Sequence, residues 1–183
     1  MALVLDGTTG IVSANIADGA VVSSKIADGT ISASDLASGA ITSAALPAGS
    51  VIKVSTWSFT TRASLSHTTW YTYFSGTVNK QRANSTLIAF VQCNGRSDAN
   101  GAAGSRFIAG GVTAYGGAKY TTTVHTDMYL QIFNIEGLTS TGSVGWQYDQ
   151  THQTFAVLNP TAATDDARIV ASTSRVIIYE VAA

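Results

Sequence analysis

The chain has 183 residues, a net charge of -1 and only 11% charged residues, where typical soluble domains hold about 25%. So even a balance excludes attraction to nucleic acid or to an anionic membrane as the basis of function. The single cysteine, Cys93, excludes an intrachain disulfide framework and a multi-cysteine metal site.

The length allows one ordinary domain plus an extension. No apolar run is long enough to span a membrane, and the start lacks the charged segment and cleavage site of a signal peptide. Synthesis in a cytoplasm is expected, with export only as part of something larger. Residues 1–10 join a strand-like Leu3, Val4 and Leu5 to the turn residues Asp6, Gly7 and Gly10, and are expected to anchor or cap the chain.

Residues 11–50 fall into four ten-residue lines, IVSANIADGA, VVSSKIADGT, ISASDLASGA and ITSAALPAGS. The first column holds Ile11, Val21, Ile31 and Ile41, the sixth Ile16, Ile26, Leu36 and Leu46, and the ninth Gly19, Gly29, Gly39 and Gly49. Ordering each backbone residue costs about 1–2 kcal/mol, and burying one aliphatic side chain returns about 1.5–3. With two or three apolar residues per line, a single copy cannot fold alone. A disordered Ser/Ala/Gly linker would have no reason to keep Ile or Leu in register over four lines.

Within a line, Ser at the third position reads as an N-cap, followed by about one helical turn and a left-handed Gly. Extended pieces then alternate with these turns. Apolar spacing of five and five, not three and four, argues against a heptad coiled coil. Other copies of the chain, three in all, are expected to bury the two columns, which makes the eight aliphatic residues the core of a trimeric shaft. Pro47 rejects a further helical turn and marks a hinge or boundary.

From residue 51 on, strand and turn signals alternate. Strands are predicted over 51–59, 69–78, 87–93, 106–113, 120–133, 143–148, 154–158 and 175–181, with turns at 93–96, 98–101, 115–117, 136–137, 141–142 and 159–160. Eight strands without a convincing helix predict an antiparallel β-sandwich of jelly-roll type over 51–183. The last strand alternates Val176, Ile178 and Glu180 with Ile177, Tyr179 and Val181. One face would line the core, and the other needs a cover such as a subunit contact.

Residues that could carry chemistry form no convincing constellation. His125 and Asp127 share a strand face, but no second histidine stands at ligand spacing. Gly-x-Ser-x-Gly is absent, and no carboxylate pair stands out for glycoside hydrolysis. Ala109-Gly110-Gly111 lacks the helix and lysine of a phosphate loop. Cys93, in an apolar strand, reads as a small buried hydrophobe. No catalytic residue, metal or cofactor is expected. Trp57, Trp70, Tyr71, Tyr73, Phe74, Trp146 and Tyr148 read mostly as core or subunit contacts. Tyr115 and Tyr120 flank a Gly-rich turn and could present rings to a sugar. With the turn residues Asp98 and Asn100 they are the receptor-contact candidates, since rigid sandwiches place recognition on loops.

The Ala-Asp-Gly repeats closing in Leu-Pro-Ala-Gly-Ser-Val-Ile, within residues 16–52, resemble the shafts of phage tail-fibre and other virion fibre proteins. The opening Leu-Val-Leu-Asp-Gly-Thr-Thr-Gly, residues 3–10, resembles the start of many phage structural proteins. The C-terminal part, with Ala-Gly-Ser-Arg at 103–106 and Ser-Thr-Ser-Arg-Val-Ile-Ile-Tyr-Glu-Val at 172–181, is similar to small β-sandwich heads in phages of aquatic bacteria, which resemble trimeric jelly-roll modules of the complement-globular-head type. The resemblance implies a homotrimeric virion component assembled in a bacterial cytoplasm, with no catalytic residues to transfer. The expected organisation is an anchor (1–10) docking on other virion proteins, an intertwined trimeric shaft (11–50) and a head (51–183). The expected function is a short tail fibre whose head contacts the host surface, with host polysaccharide the candidate receptor. A head or neck fibre or capsid decoration protein of purely structural role is the alternative, and a fibre-borne depolymerase a third.

Overall fold

A computed structural model of the chain describes residues 16–60, 63–65, 69–97, 101–116, 119–121, 125–152, 156–158 and 173–183, with backbone only at 63–65, 95–97, 101–103, 119–121, 125–129, 152 and 156–158. It divides into two compact units, Met1–Ile41 and Thr42–Ala183.

In the repeat, each of the three fully described lines, 21–50, contains two tight turns. Short 3-10 turns occupy Ser23–Lys25, Ala33–Asp35 and Ser43–Ala45. Further along each line, hydrogen bonds from Ala20 N to Ala17 O, Thr30 N to Ala27 O, Ala40 N to Ala37 O and Ser50 N to Pro47 O close β-turns. The ninth-column glycines hold the third place of each, at φ between 73° and 85°, a backbone region that favours glycine. The predicted alternation of turns and extended pieces is therefore present, but the helical turn is shorter than expected. It covers the third to fifth columns and is capped from the second, where Val22, Ser32 and Thr42 are extended. In the line whose 3-10 turn carries an acid, Asp35 accepts from both the backbone N (2.8 Å) and the hydroxyl (2.7 Å) of Ser32, which satisfies an orphan donor at the start of the turn.

The second unit is mainly β, built of two antiparallel sheets. Its strands are β1 (Val51–Phe59), β2 (Ala63–Leu65), β3 (Tyr71–Lys80), β4 (Thr86–Ser97), β5 (Gly101–Ala109), β6 (Val112–Tyr115), β7 (Lys119–Thr121), β8 (His125–Ile135), β9 (Gly142–His152), β10 (Ala156–Leu158) and β11 (Ser174–Val181). Strands β10 and β11 pair along the same edge of β4, at Gly95–Ser97 and Thr86–Gln92, opposite β8, and β2 and β1 continue one another in the same way beyond them. Strands β6 and β7 likewise share one edge of β5. Each pair fills one strand position, so the eleven strands occupy eight. Numbered along the chain, the first sheet reads 1-8-3-6 and the second 2-7-4-5, the order of an eight-strand jelly roll.

Two of the predicted strands are broken. The stretch 106–113 is a hairpin, because Gly110 and Gly111 have φ of 55° and 85°, as a two-residue turn between right-twisted strands requires. The stretch 120–133 divides between β7 and β8. The predicted turn at 93–96 is strand instead, since β4 runs to Ser97 with β8 on one edge and β10 on the other. The last repeat line also goes with the sandwich, so the compact unit begins before the expected boundary at residue 51. Gly49 N donates to Ala182 O, Ala182 N to Ser50 O (both 2.8 Å), and Arg82 Nη1 to Leu46 O (3.1 Å).

The core forms where the inner faces meet. Leu87, Ala89, Val91 and Cys93 of β4, Phe133 and Ile135 of β8, and Val176 and Ile178 of β11 face Phe74 and Val78 of β3, Phe107 of β5, and Val144, Trp146 and Tyr148 of β9. Trp146 stacks on Phe107 (centroids 5.4 Å apart, 14°) and meets Trp57 edge-on (4.8 Å, 68°). A Cβ on Gly76 would come within 2.8 Å of the Trp146 ring, whereas one on Gly145, on the outer surface, meets nothing. Gly76→Ala is expected to destabilise the chain by about 1–3 kcal/mol through overpacking, and Gly145→Ala to be near neutral. Paired urea titrations check this, and equal midpoints for the two variants would contradict it.

At one end the core is polar and satisfied. Tyr148 Oη donates to Gln131 Oε1 (2.6 Å), Gln131 Nε2 donates to Ser105 Oγ (2.7 Å), and Gln150 Nε2 donates to Tyr148 Oη. Burial pushes the Cys93 thiol up to about 12, against a smaller opposing effect of its hydrogen bond with Tyr148. The Tyr148 hydroxyl is likewise raised well above its ordinary value, chiefly by burial. A thiol raised by folding stabilises fully below its unfolded value and loses that contribution as pH climbs through the folded one. Between about pH 9 and 12 the unfolded chain has released this proton and the folded chain has not, so stability falls by about 1.4 kcal/mol per pH unit. Tyr148 adds to the loss at higher pH. Lys80, lowered by burial against the attraction of Glu180, acts in the opposite direction. Urea midpoints between pH 9 and 11 should therefore fall more steeply for the wild type than for Cys93→Ala, and parallel slopes would refute the assignment.

Candidate interaction surfaces

In the repeat unit, the predicted shaft residues Ile16, Val21, Ile26, Ile31, Leu36 and Ile41 are all exposed, from 39% at Ile26 to 59% at Ile41. Leu46, in the line fastened to the sandwich, is half-buried. Ile11 lies outside the described residues. The five-and-five spacing thus leaves both aliphatic columns open to solvent in a single copy.

The first sheet is apolar on both sides. Alternation along β11 sends Val176, Ile178 and Glu180 inward and leaves Ile177, Tyr179 and Val181 half-buried on the outer face. The registers align two outer rows, Thr56–Ile177–Phe90–Ile132 and Val54–Tyr179–Ile88–Asn134, with Leu130 opposite Gln92 in the next. Phe90 meets Tyr179 edge-on at 5.3 Å, and Leu130 and Ile132 are 66% and 58% exposed. A contiguous aliphatic and aromatic surface of this kind marks an interaction site on a soluble protein.

Glu180 breaks the inward apolar pattern for a structural reason. Its buried carboxylate accepts from Gln81 N (3.0 and 2.8 Å), Arg82 N (2.8 Å) and Ser85 Oγ (2.6 Å). The buried Lys80 Nζ donates to the carbonyls of Leu138 (3.1 Å) and Arg82. Buried charges persist when hydrogen-bonded in this way, and these two hold the 81–85 turn, which carries the Arg82 that reaches Leu46 O.

The outer face of the second sheet has a different chemistry. Thr72, Asp149, Arg106 and Tyr115 stand opposite one another across β3, β9, β5 and β6. Asp149 is buried and accepts from Arg106 Nε (2.8 Å), Thr72 Oγ1 (2.8 Å) and Gln147 Nε2 (3.1 and 3.0 Å), with Arg106 Nη2 also 2.8 Å away. The guanidinium lies 4.5 Å from the Trp70 ring centre, and the Trp70 and Tyr115 rings are 6.1 Å apart. Trp70 lies over Gly104, where a Cβ would be in ordinary contact with the indole at 3.4 Å. Farther along the same face, Ile108, Gln147, Gly145, Gly110 and Gly111 border a depression of about 330 Å3.

Of the receptor-contact candidates, Tyr115 is 70% exposed within this cluster. Tyr120 lies in β7, its backbone opposite Ala102, and Asp98 and Asn100 lie outside the described residues. The structure does not bring the four together as one described group. Trp57, Phe74, Trp146 and Tyr148 do sit in or against the core, whereas Trp70 lies on the outer face. Strict alternation from Phe74 would send Thr72 and Trp70 inward, but an extra residue between Thr72 and Phe74 reverses the faces. Sequence reasoning placed Trp70 with the core or subunit contacts for this reason, and it passed over Arg106, Gln147 and Asp149 because their grouping depends on strand pairing. The Gly-Gly turn at 110–111 was the available signal, because it marks the hairpin that brings Tyr115 beside Arg106.

Among the described residues, no group of three or more His, Cys, Asp or Glu side chains is placed to hold a metal ion, and no helix is long and apolar enough to cross a membrane.

Compared with known proteins, the sequence matches no family model and no curated protein. Among solved structures, the chain is similar to infectious bursal disease virus Gx strain, at 13% identity and a TM-score of 0.35, over 73% of this chain and 39% of that one. The Gt strain gives 12%, 0.35, 73% and 39%, and the VP2 subviral particle of the same virus 12%, 0.37, 73% and 38%. The chain thus spans well under half the length of these proteins. So loose a likeness adds nothing to the strand order, on which the jelly-roll assignment rests.

Proposed function

We propose that the chain is a non-enzymatic structural protein of a bacteriophage particle, a short homotrimeric fibre whose jelly-roll head contacts the host cell surface. The observation that carries this reading is that the described residues leave two kinds of apolar surface uncovered. The repeat exposes two aliphatic columns, and the first sheet exposes its outer face around Phe90, Ile132 and Tyr179. Copies of the same chain cover both with one symmetry axis. Two columns per line let each copy meet two neighbours, and three is the smallest closed ring of such contacts. Residues 1–10 dock on other virion proteins. The head presents Asp98, Asn100, Tyr115 and Tyr120 as contact candidates to a host receptor, and three sites per fibre multiply a weak contact into avid adsorption.

Light scattering on the full chain should give three times the 18.9 kDa chain mass, and a native monomer would end the proposal. Leu130→Asp with Ile132→Asp should weaken assembly by about 2–4 kcal/mol per site, because each places an unpaired charge in a desolvated contact. Unchanged assembly in the double variant would move the subunit contact elsewhere. Assembled protein, fluorescently labelled, should bind cells of a susceptible strain saturably. Absence of binding would favour a structural fibre of the head or neck.

A further inference from the structure

The outer face of the second sheet is built unlike that of the first. Where the first shows aliphatic side chains, this one shows two flat rings, Trp70 and Tyr115, beside a dense set of fixed hydrogen-bonding groups, Arg106, Thr72 and Gln147. All three polar groups are held by one buried carboxylate, Asp149. A carboxylate that holds three side chains is a rigid hub, and side chains locked this way lose little freedom when something binds them.

We infer that this face is a binding site for a neutral oligosaccharide of the bacterial surface. The inference rests on the reading of the head as the host-contacting part and names its receptor chemistry and place. A pyranose ring has an apolar C–H face and a rim of hydroxyls. The electron-rich faces of Trp70 and Tyr115 match the first, and the amide of Gln147, the hydroxyl of Thr72 and the guanidinium of Arg106 match the second. The preference for a neutral sugar follows from charge: Arg106 is already paired with Asp149 at 2.8 Å, so among the described residues of the cluster no uncompensated cation is left to select a uronate or phosphate. Length follows from the depression at Gly145, four residues along β9 from Asp149 and thus about 13 Å away, a span of roughly two to three sugar rings. Gln147 stands between the two ends. A saccharide stacked on Trp70 and Tyr115 would run past Gln147 into the glycine-bordered hollow.

The test uses the full chain, with neutral hexose and deoxyhexose oligosaccharides of about two to six units and a matched uronate- and phosphate-bearing set as probes. Binding is read by indole emission, since Trp70 is the exposed tryptophan, and adsorption by labelled protein on cells of a susceptible strain. The expected result is saturable binding of a neutral probe. Trp70→Ala should weaken it about tenfold and Tyr115→Ala roughly three- to tenfold. Gly145→Leu, which fills the hollow at a position with open space, should weaken only probes longer than a disaccharide. All three variants should keep the wild-type mass and urea midpoint, which separates a binding defect from a folding one. Binding of charged probes alone, binding unchanged in all three variants, or no probe bound would overturn the inference. If wild type and Trp70→Ala adsorb to cells equally well, this site falls and the adsorption reading stands. If the assembled wild type adsorbs to no cells, both fall.

Discussion

Strands β11 and β4 carry apolar side chains on both faces, and a sheet built around them must be covered twice. The second sheet supplies one cover. Against it pack Val176 and Ile178 of β11 and Leu87, Ala89 and Val91 of β4. Among the described residues, nothing supplies the other for Ile88, Phe90, Leu130, Ile132 and Tyr179. Because the side-chain period of a strand is two, this division cannot be relaxed by a small adjustment. A one-residue slip of β11 would exchange its faces and place the Glu180 carboxylate outside, away from the Gln81, Arg82 and Ser85 donors that hold it. The buried Glu180 therefore fixes the register of the strand whose outer face is uncovered.

That same strand receives the end of the repeat. The paired hydrogen bonds between Ala182 and residues 49 and 50 extend the β11 edge by a short step, and Arg82 reaches back to Leu46. The last repeat line is thus hydrogen-bonded to the sheet whose outer face is open. On the proposed reading, copies of the chain cover both the repeat columns and the outer face of that sheet.

Much of this was legible in the amino-acid order, and the failures have specific causes. The ten-residue period, the left-handed glycines and the two-faced final strand follow from side-chain chemistry at fixed spacing, which needs no tertiary information. Strand β1 likewise was readable to the residue. Illegible were the features that depend on a partner strand. Asn94 and Gly95 look like a turn in isolation but are held in β4 by β8 and β10. The bulge beside Tyr73 exists only as a mismatch of register against β9, and it alone turns Trp70 outward. Asp149 gives no sign in the sequence of being buried, because its partners Thr72 and Arg106 are 77 and 43 residues away. Glycines 110 and 111 fall inside the predicted strand 106–113, but their positive φ builds a hairpin instead.

The two outer faces constrain one another. In a sandwich they point in opposite directions, about 20 Å apart once side chains are counted on both sides of two sheets roughly 10 Å apart. If copies of the chain cover the first sheet, the second is turned away from the axis and stays open. The aliphatic face could not serve a soluble sugar, since it offers few groups to replace the hydration of hydroxyls. The face holding Asp149 and Arg106 would make a poor subunit contact, because closing it off from water would desolvate the exposed part of Arg106 and the polar groups of Thr72 and Gln147 without an apolar gain to match. Assigning assembly to the first sheet and recognition to the second therefore places each surface where its chemistry is least costly, and the exchange of the two roles is the arrangement that physical chemistry disfavours.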